Sequence, residues 1–127
     1  MNDDYDVTLR IPADSAYLSI LRTATAGLAA RLDFTLDDIE DLRIAVDEAC
    51  ALLLPQATLG SDLDCGFLVK PDSLTVEVTA TSPEPRAPSR DGFAWTVLTA
   101  LASQVDARTD ADGVTLSLTR RREVSSQ

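Results

Sequence analysis

Glu48 is the residue whose surroundings single it out for chemistry. It shares one side of a helical stretch with Asp41, Ile44, Ala45 and Leu52, a mixture unlike a solvated charge face. A helix apolar on more than one side is embedded between other elements. A carboxylate at such a wall serves either as a proton acceptor or as a structural hydrogen-bond acceptor. The other reactive types are few. Cys50 and Cys65 lie in apolar-periodic segments without metal-ligand spacing, and the chain has no histidine, which removes histidine-based catalysis and most zinc sites. Cys50, in a helix stripe, reads as a small buried apolar residue, and Cys65 is the better placed of the two to be a reactive thiol. Arg120-Arg121-Arg122 reads as a solvated charge run.

The elements that must position these residues follow from periodicity. Val7, Leu9 and Ile11 alternate with Thr8 and Arg10 as in a half-buried strand that Pro12 ends. Asp14 or Ser15 caps a first helix whose stripe is Tyr17, Ile20, Leu21, Ala24, Leu28 and Leu32, and Asp33-Phe34 breaks it. Thr35 caps a second helix, with Asp38 at the third position of a capping-box-like pattern. Its core stripe is Ile39, Leu42, Val46, Ala49, Cys50 and Leu53, and Pro55 stops it. Leu63, Cys65, Phe67 and Val69, then Leu74, Val76, Val78 and Ala80, make an antiparallel hairpin around Pro71-Asp72. Three prolines between Ser82 and Ser89 exclude regular structure there. A third helix has Ala94, Val97, Leu98, Leu101 and Val105 on one face, with Phe93 and Trp95 filling core space. Val105 to Arg108 begins a strand, and Val114, Leu116 and Leu118 form the last. Strands and helices are segregated in this order, so an α+β fold is expected: a two-layer sandwich with three helices on one face of a mainly antiparallel sheet.

Composition bounds the function. At 127 residues the chain fits one domain over 1–127. No apolar run reaches the roughly 18–20 residues that cross a membrane, and the acidic amino terminus is unlike a secretory signal, so a cytoplasmic protein with no membrane contact is expected. A net charge of -10 repels nucleic-acid phosphates and suits either a basic protein partner or simple solubility. The charge is uneven: residues 1–64 hold 13 acids and 4 bases, net -9, and residues 65–127 hold 8 acids and 7 bases, net -1.

The run Leu42-Arg43-Ile44-Ala45-Val46-Asp47-Glu48-Ala49-Cys50 resembles the nucleotide-box helix of RsbW-type anti-sigma factors, members of the ATPase superfamily of histidine kinases and gyrase. Asp91-Gly92-Phe93-Ala94-Trp95-Thr96-Val97-Leu98 sits where that family has its glycine-rich lid and third helix. Asp112-Gly113-Val114-Thr115-Leu116 matches its closing strands, and the run from Phe93 to Leu101 is similar to actinobacterial members. The resemblance implies a Bergerat-type ATPase fold, pairing through the sheet into a homodimer, and two partners: a sigma factor and an anti-anti-sigma factor. It places Glu48 at the general base that phosphorylates a serine of the anti-anti-sigma protein, and Arg22 at an arginine that contacts sigma. With Ile20, Leu21, Ala24 and Leu28 packed inward, Arg22 is expected to turn its fork outward.

Three parts of the family's ATP site depart from its pattern. Leu52 stands where an asparagine supplies oxygen to magnesium, a hard cation that demands oxygen ligands. Thr79-Ala80-Thr81-Ser82 lacks the adenine-reading aspartate. Gly92-Phe93-Ala94 keeps one of the two lid glycines, leaving Gly92 and Ala94 as the cofactor-binding remnant. Two function classes follow. One is a binding module that sequesters a sigma factor of the general-stress and sporulation group, uses no cofactor and is released by an anti-anti-sigma partner. The other is a serine kinase dependent on ATP and magnesium. The three departures favour the first, and Glu48 keeps the second open.

Overall fold

A computed structural model describes residues 5–122. The order is β1 (Val7–Pro12), α1 (Leu18–Arg31), α2 (Leu36–Leu53), β2 (Asp62–Lys70), β3 (Ser73–Thr81), α3 (Phe93–Leu101), β4 (Gln104–Thr109) and β5 (Gly113–Arg121), with short 3-10 turns at Ser15–Tyr17 and Leu54–Gln56. The five strands form one sheet in the order β1-β2-β3-β5-β4, each neighbouring pair antiparallel. The α+β sandwich expected from the segregated pattern is the fold observed.

Alternation decides the sheet's two faces. Leu63, Phe67, Leu74, Val76, Val78, Ala80, Val114, Leu116 and Leu118 are fully buried on the inner face, where each large side chain removed from water contributes about 1.5–3 kcal/mol. Their neighbours Glu77, Thr79, Thr115 and Arg108 lie on the outer face, where Thr75 pairs with Thr119 at 2.8 Å and Thr79 with Thr115 at 2.7 Å. Tyr5 crosses this outer face to Glu77, and its ring lies over Gly66, where a Cβ would come within 2.5 Å of it.

The helices cover the inner face with α2 in the middle, in contact with both α1 and α3. Thr35 caps α2 as its sequence pattern predicts, its hydroxyl accepting from the Asp38 amide at 3.1 Å. Asp37 and Asp38 lie in the first turn, where the helix dipole favours acids. Asp14 caps the 3-10 turn before α1, and Asp33, at a φ of 62°, ends α1 in the left-handed region that short polar residues tolerate.

Four expectations are corrected. The buried line of α1 is Leu21, Thr25 and Ala29, whereas Tyr17 and Ile20 are 42% and 46% exposed. Thr25 can be buried because its hydroxyl donates to the Leu21 carbonyl at 2.8 Å, which removes the cost of burying it unpaired. α3 ends at Leu101, so Val105 belongs to β4 and not to the helix face. Trp95 is buried, but Phe93 is 83% exposed at the start of α3. The arginine run is not uniformly solvated: Arg120 bridges Asp38 at 2.7 Å and Asp41 at 3.3 Å and donates to the Leu101 carbonyl, while Arg122 donates to the Leu32 carbonyl at 3.3 Å. Among the described residues no helix is long and apolar enough to cross a membrane.

Candidate functional site

The site is built on α2, the helix held on both sides. Core packing through Leu42, Val46, Ala49, Cys50 and Leu53 fixes its rotation. Ala45 is also buried, so the side read as mixed closes further inward than its polar neighbours suggest, while Ile44 stays exposed. Glu48 is half-buried, as a wall residue should be. Among the described residues it is the one buried or half-buried carboxylate without a hydrogen bond or ion pair; Asp38, Asp41, Asp47 and Glu77 all have one. The structural hydrogen-bond reading of Glu48 therefore has no partner to support it.

One turn onward, Leu52 is partly buried and packs against the core. At the end of β3, Ala80 and Ser82 are buried. Ser82 is engaged locally: its amide donates to the Asp112 carbonyl at 2.9 Å and its hydroxyl accepts from the Glu84 amide at 3.2 Å. Gly92 caps α3 with an extended backbone at φ -81° and ψ 161°, and its carbonyl accepts from the Thr96 amide at 3.2 Å. Phe93 and Ala94 are already the first residues of that helix. The proline-rich connector is anchored at two points. The Gln56 amide donates to the Arg86 carbonyl at 2.8 Å and accepts from the Arg86 amide at 3.0 Å. Arg90 stacks 4.4 Å from the Trp95 ring centroid and lies 3.7 Å from Asp106.

Arg22, on α1, is half-buried, and its Nη1 donates to Asp47 Oδ1 at 3.0 Å. The expectation of a fork turned freely outward is corrected to one tied at a single nitrogen to the residue preceding Glu48. Sequence reasoning missed Asp47 because an arginine on one helix and an aspartate 25 residues later carry no local signature. Cys50 and Cys65 are both buried. Burial, with Cys65 and Asp47 adding to it, pushes the Cys50 thiol up to about 12, and burial with Asp64 does the same for Cys65, to about 12. Cys65 is thus no better placed to react than Cys50. Among the described residues no group of three or more histidine, cysteine, aspartate or glutamate side chains could hold a metal.

An antiparallel sheet backed on one face by three helices, with a half-buried glutamate on the middle helix, defines a two-layer α+β sandwich. No family model matches the chain. It is 34% identical over 132 residues to the anti-sigma-F factor RsbW of Mycobacterium tuberculosis (strain CDC 1551 / Oshkosh), covering 95% of this chain and 76% of that protein. It is 38% identical over 84 residues to the serine-protein kinase RsbW of Bacillus pumilus (strain SAFR-032), covering 61% of this chain and about half, 52%, of that relative. A solved structure of the RsbU and RsbW domains of a Mycobacterium tuberculosis protein has the same fold, at a TM-score of 0.65 and 20% identity over 91% of this chain and 32% of that one. The chain belongs to the RsbW family of anti-sigma factors.

Proposed function

We propose that this chain sequesters an alternative sigma factor of the general-stress and sporulation group, and that an anti-anti-sigma protein competes for it without being phosphorylated. In this reading residues 1–127 act as one cytoplasmic domain that pairs with a second copy through the sheet. The observation that carries the choice of sequestration over catalysis is Leu52. Its side chain packs on the core one turn after Glu48, where a magnesium ion would need an oxygen ligand. Ser82 and its neighbours offer no carboxylate to an adenine amino group, and the lid remnant at Gly92 and Ala94 is drawn into the start of α3. These residues do not fit magnesium-bound ATP, and phosphoryl transfer depends on metal clamping and positioning.

Sigma binding is carried by α1. Arg22 uses one N–H on Asp47, and four further donors are left for a partner carboxylate. Arg22→Ala is expected to stay folded by circular dichroism and to bind sigma at least about tenfold more weakly, equivalent to about 1.4 kcal/mol. Unchanged affinity in surface plasmon resonance would remove this contact.

A kinase reading keeps one observation in its favour, the unpartnered carboxylate of Glu48, which a general base requires. Incubation with ATP, magnesium and the anti-anti-sigma protein decides between the two. Sequestration predicts no labelled product above background. Labelling that disappears in Glu48→Ala would establish the kinase instead.

A further inference from the structure

The sheet face opposite the helices holds an open pocket of about 680 Å³, a size suited to a small molecule. Strand register explains its make-up. One cross-strand row runs Arg10, Asp64, Thr79, Thr115 and Arg108 through β1, β2, β3, β5 and β4. All five residues line the pocket, with an arginine on each edge strand and two hydroxyls in the middle. Gly66 lies in the next row, and Tyr5, laid over it, adds a wall.

Both arginines lean inward. Arg10 Nε donates to Asp64 on β2 at 2.7 Å, and Arg108 Nη2 reaches over β5 to Glu77 on β3 at 3.0 Å. β2 and β3 are neighbours in the sheet, and neighbouring strands lie about 4.8 Å apart. The two guanidinium heads therefore converge over the middle of the sheet.

The acids around them are already engaged. Asp64 and Glu77 hold the arginines, Tyr5 also donates to Glu77, and Asp110 Oδ1 accepts the amides of Asp112 and Gly113 at 2.8 and 2.9 Å. Donors are left over. Each guanidinium has five N–H groups, most of them without a partner among the described residues. Thr79 and Thr115 share one hydroxyl hydrogen bond at 2.7 Å, which uses one of their two protons and leaves the other to give. The unused capacity of the pocket is cationic and donating, so its ligand must bring acceptor oxygens.

We infer that this pocket binds a small phosphate monoester. A carboxylate offers two oxygens, and a single arginine fork fills them. A phosphate monoester presents three acceptor oxygens and close to two negative charges, enough to meet both arginines and a threonine hydroxyl at once. Thr8, on β1 beside Arg10, also lines the pocket and offers a hydroxyl to the polar part of the ester. The site lies across the sheet from Glu48 and α1, so it is independent of the sigma reading and of the ATP-site remnant. A second copy paired through the sheet would cover the same face, which links the ligand to pairing.

The test is amide NMR on the isotope-labelled full chain, titrated with glycerol 3-phosphate in phosphate-free buffer, with light scattering at each end point. Saturable shifts are expected at the amides of Gly66, Thr79 and Thr115, and none with glycerol. Arg10→Gln and Arg108→Gln should each weaken binding by at least about tenfold, the worth of a hydrogen bond to a charged group. Thr115→Val, which keeps the side chain's shape without its hydroxyl, should weaken binding less and retain the spectrum of a folded chain. Succinate binding as tightly as glycerol 3-phosphate would overturn the phosphate assignment in favour of a dicarboxylate. Shifts that chloride reproduces at equal ionic strength would overturn the site as general charge attraction. If no saturable shift occurs and the arginine variants change only the mass of the particle, the face is a contact between copies and the ligand assignment fails.

Discussion

Cys50 on α2 and Cys65 on the inner side of β2 are buried thiols raised to about 12, so at neutral pH neither carries the thiolate that reacts. Native protein is expected to leave both unlabelled by iodoacetamide over the time in which denatured protein takes up two equivalents; rapid native labelling of Cys50 would contradict the assigned stripe of α2. Glu77 titrates in the opposite sense. Burial alone would raise its pKa, but donation from Arg108 and Tyr5, with the Arg108 charge, holds it below the ordinary value of 4.5. A carboxylate depressed in the folded state contributes stability above its unfolded pKa, and that contribution is lost as pH falls through the folded value. Urea midpoints of the wild type should therefore drop more steeply below about pH 4.5 than those of Glu77→Gln; parallel profiles would show that the Tyr5–Glu77–Arg108 cluster is not linked to folding.

At the scale of elements, the start of α2 is tied to the end of β5 by Arg120 and Asp38, whose carboxylate is 1% exposed. Removing one partner of a buried pair leaves the other charge uncompensated, at a cost of about 3–5 kcal/mol. Asp41 remains 3.3 Å from Arg120, so Asp38→Ala should fall toward the lower end of that range by chemical denaturation, and Asp38→Ala with Arg120→Met should recover part of the loss. A loss below about 1 kcal/mol, the range of surface pairs, would contradict the lock. The same pair marks the limit of sequence reading. The hairpin β2–β3 and the Thr35 cap were legible because alternation and capping are local patterns. An ion pair between residues 38 and 120 has no local pattern, so the arginine run read as solvated. Periodicity places the stripe of α1 about one position off its buried line, because Thr25 looks like a surface residue until its hydroxyl donates to the Leu21 carbonyl. Apolarity alone puts Phe93 in the core, whereas α3 turns Trp95 and Leu98 inward and leaves Phe93 in water.

For the whole molecule, the central position of α2 joins the parts of the account. One helix carries Asp47, which holds Arg22 of α1, and next to it Glu48 and then Leu52, packed against the core. Of the candidate site, Glu48, Leu52, Gly92 and Ala94 stand on the resemblance alone. Asp47 as the partner of Arg22 emerges only when α1 and α2 are placed side by side. If the wall at Leu52 no longer supports phosphoryl transfer, partner binding on the α1 side should not depend on ATP. The most direct measurement is size-exclusion chromatography with light scattering on the purified chain and its sigma factor, free of nucleotide and magnesium, followed by a challenge with core RNA polymerase. The account predicts a stable complex under these conditions that keeps sigma from core. A complex that forms only with ATP and magnesium, or none at all, would contradict it.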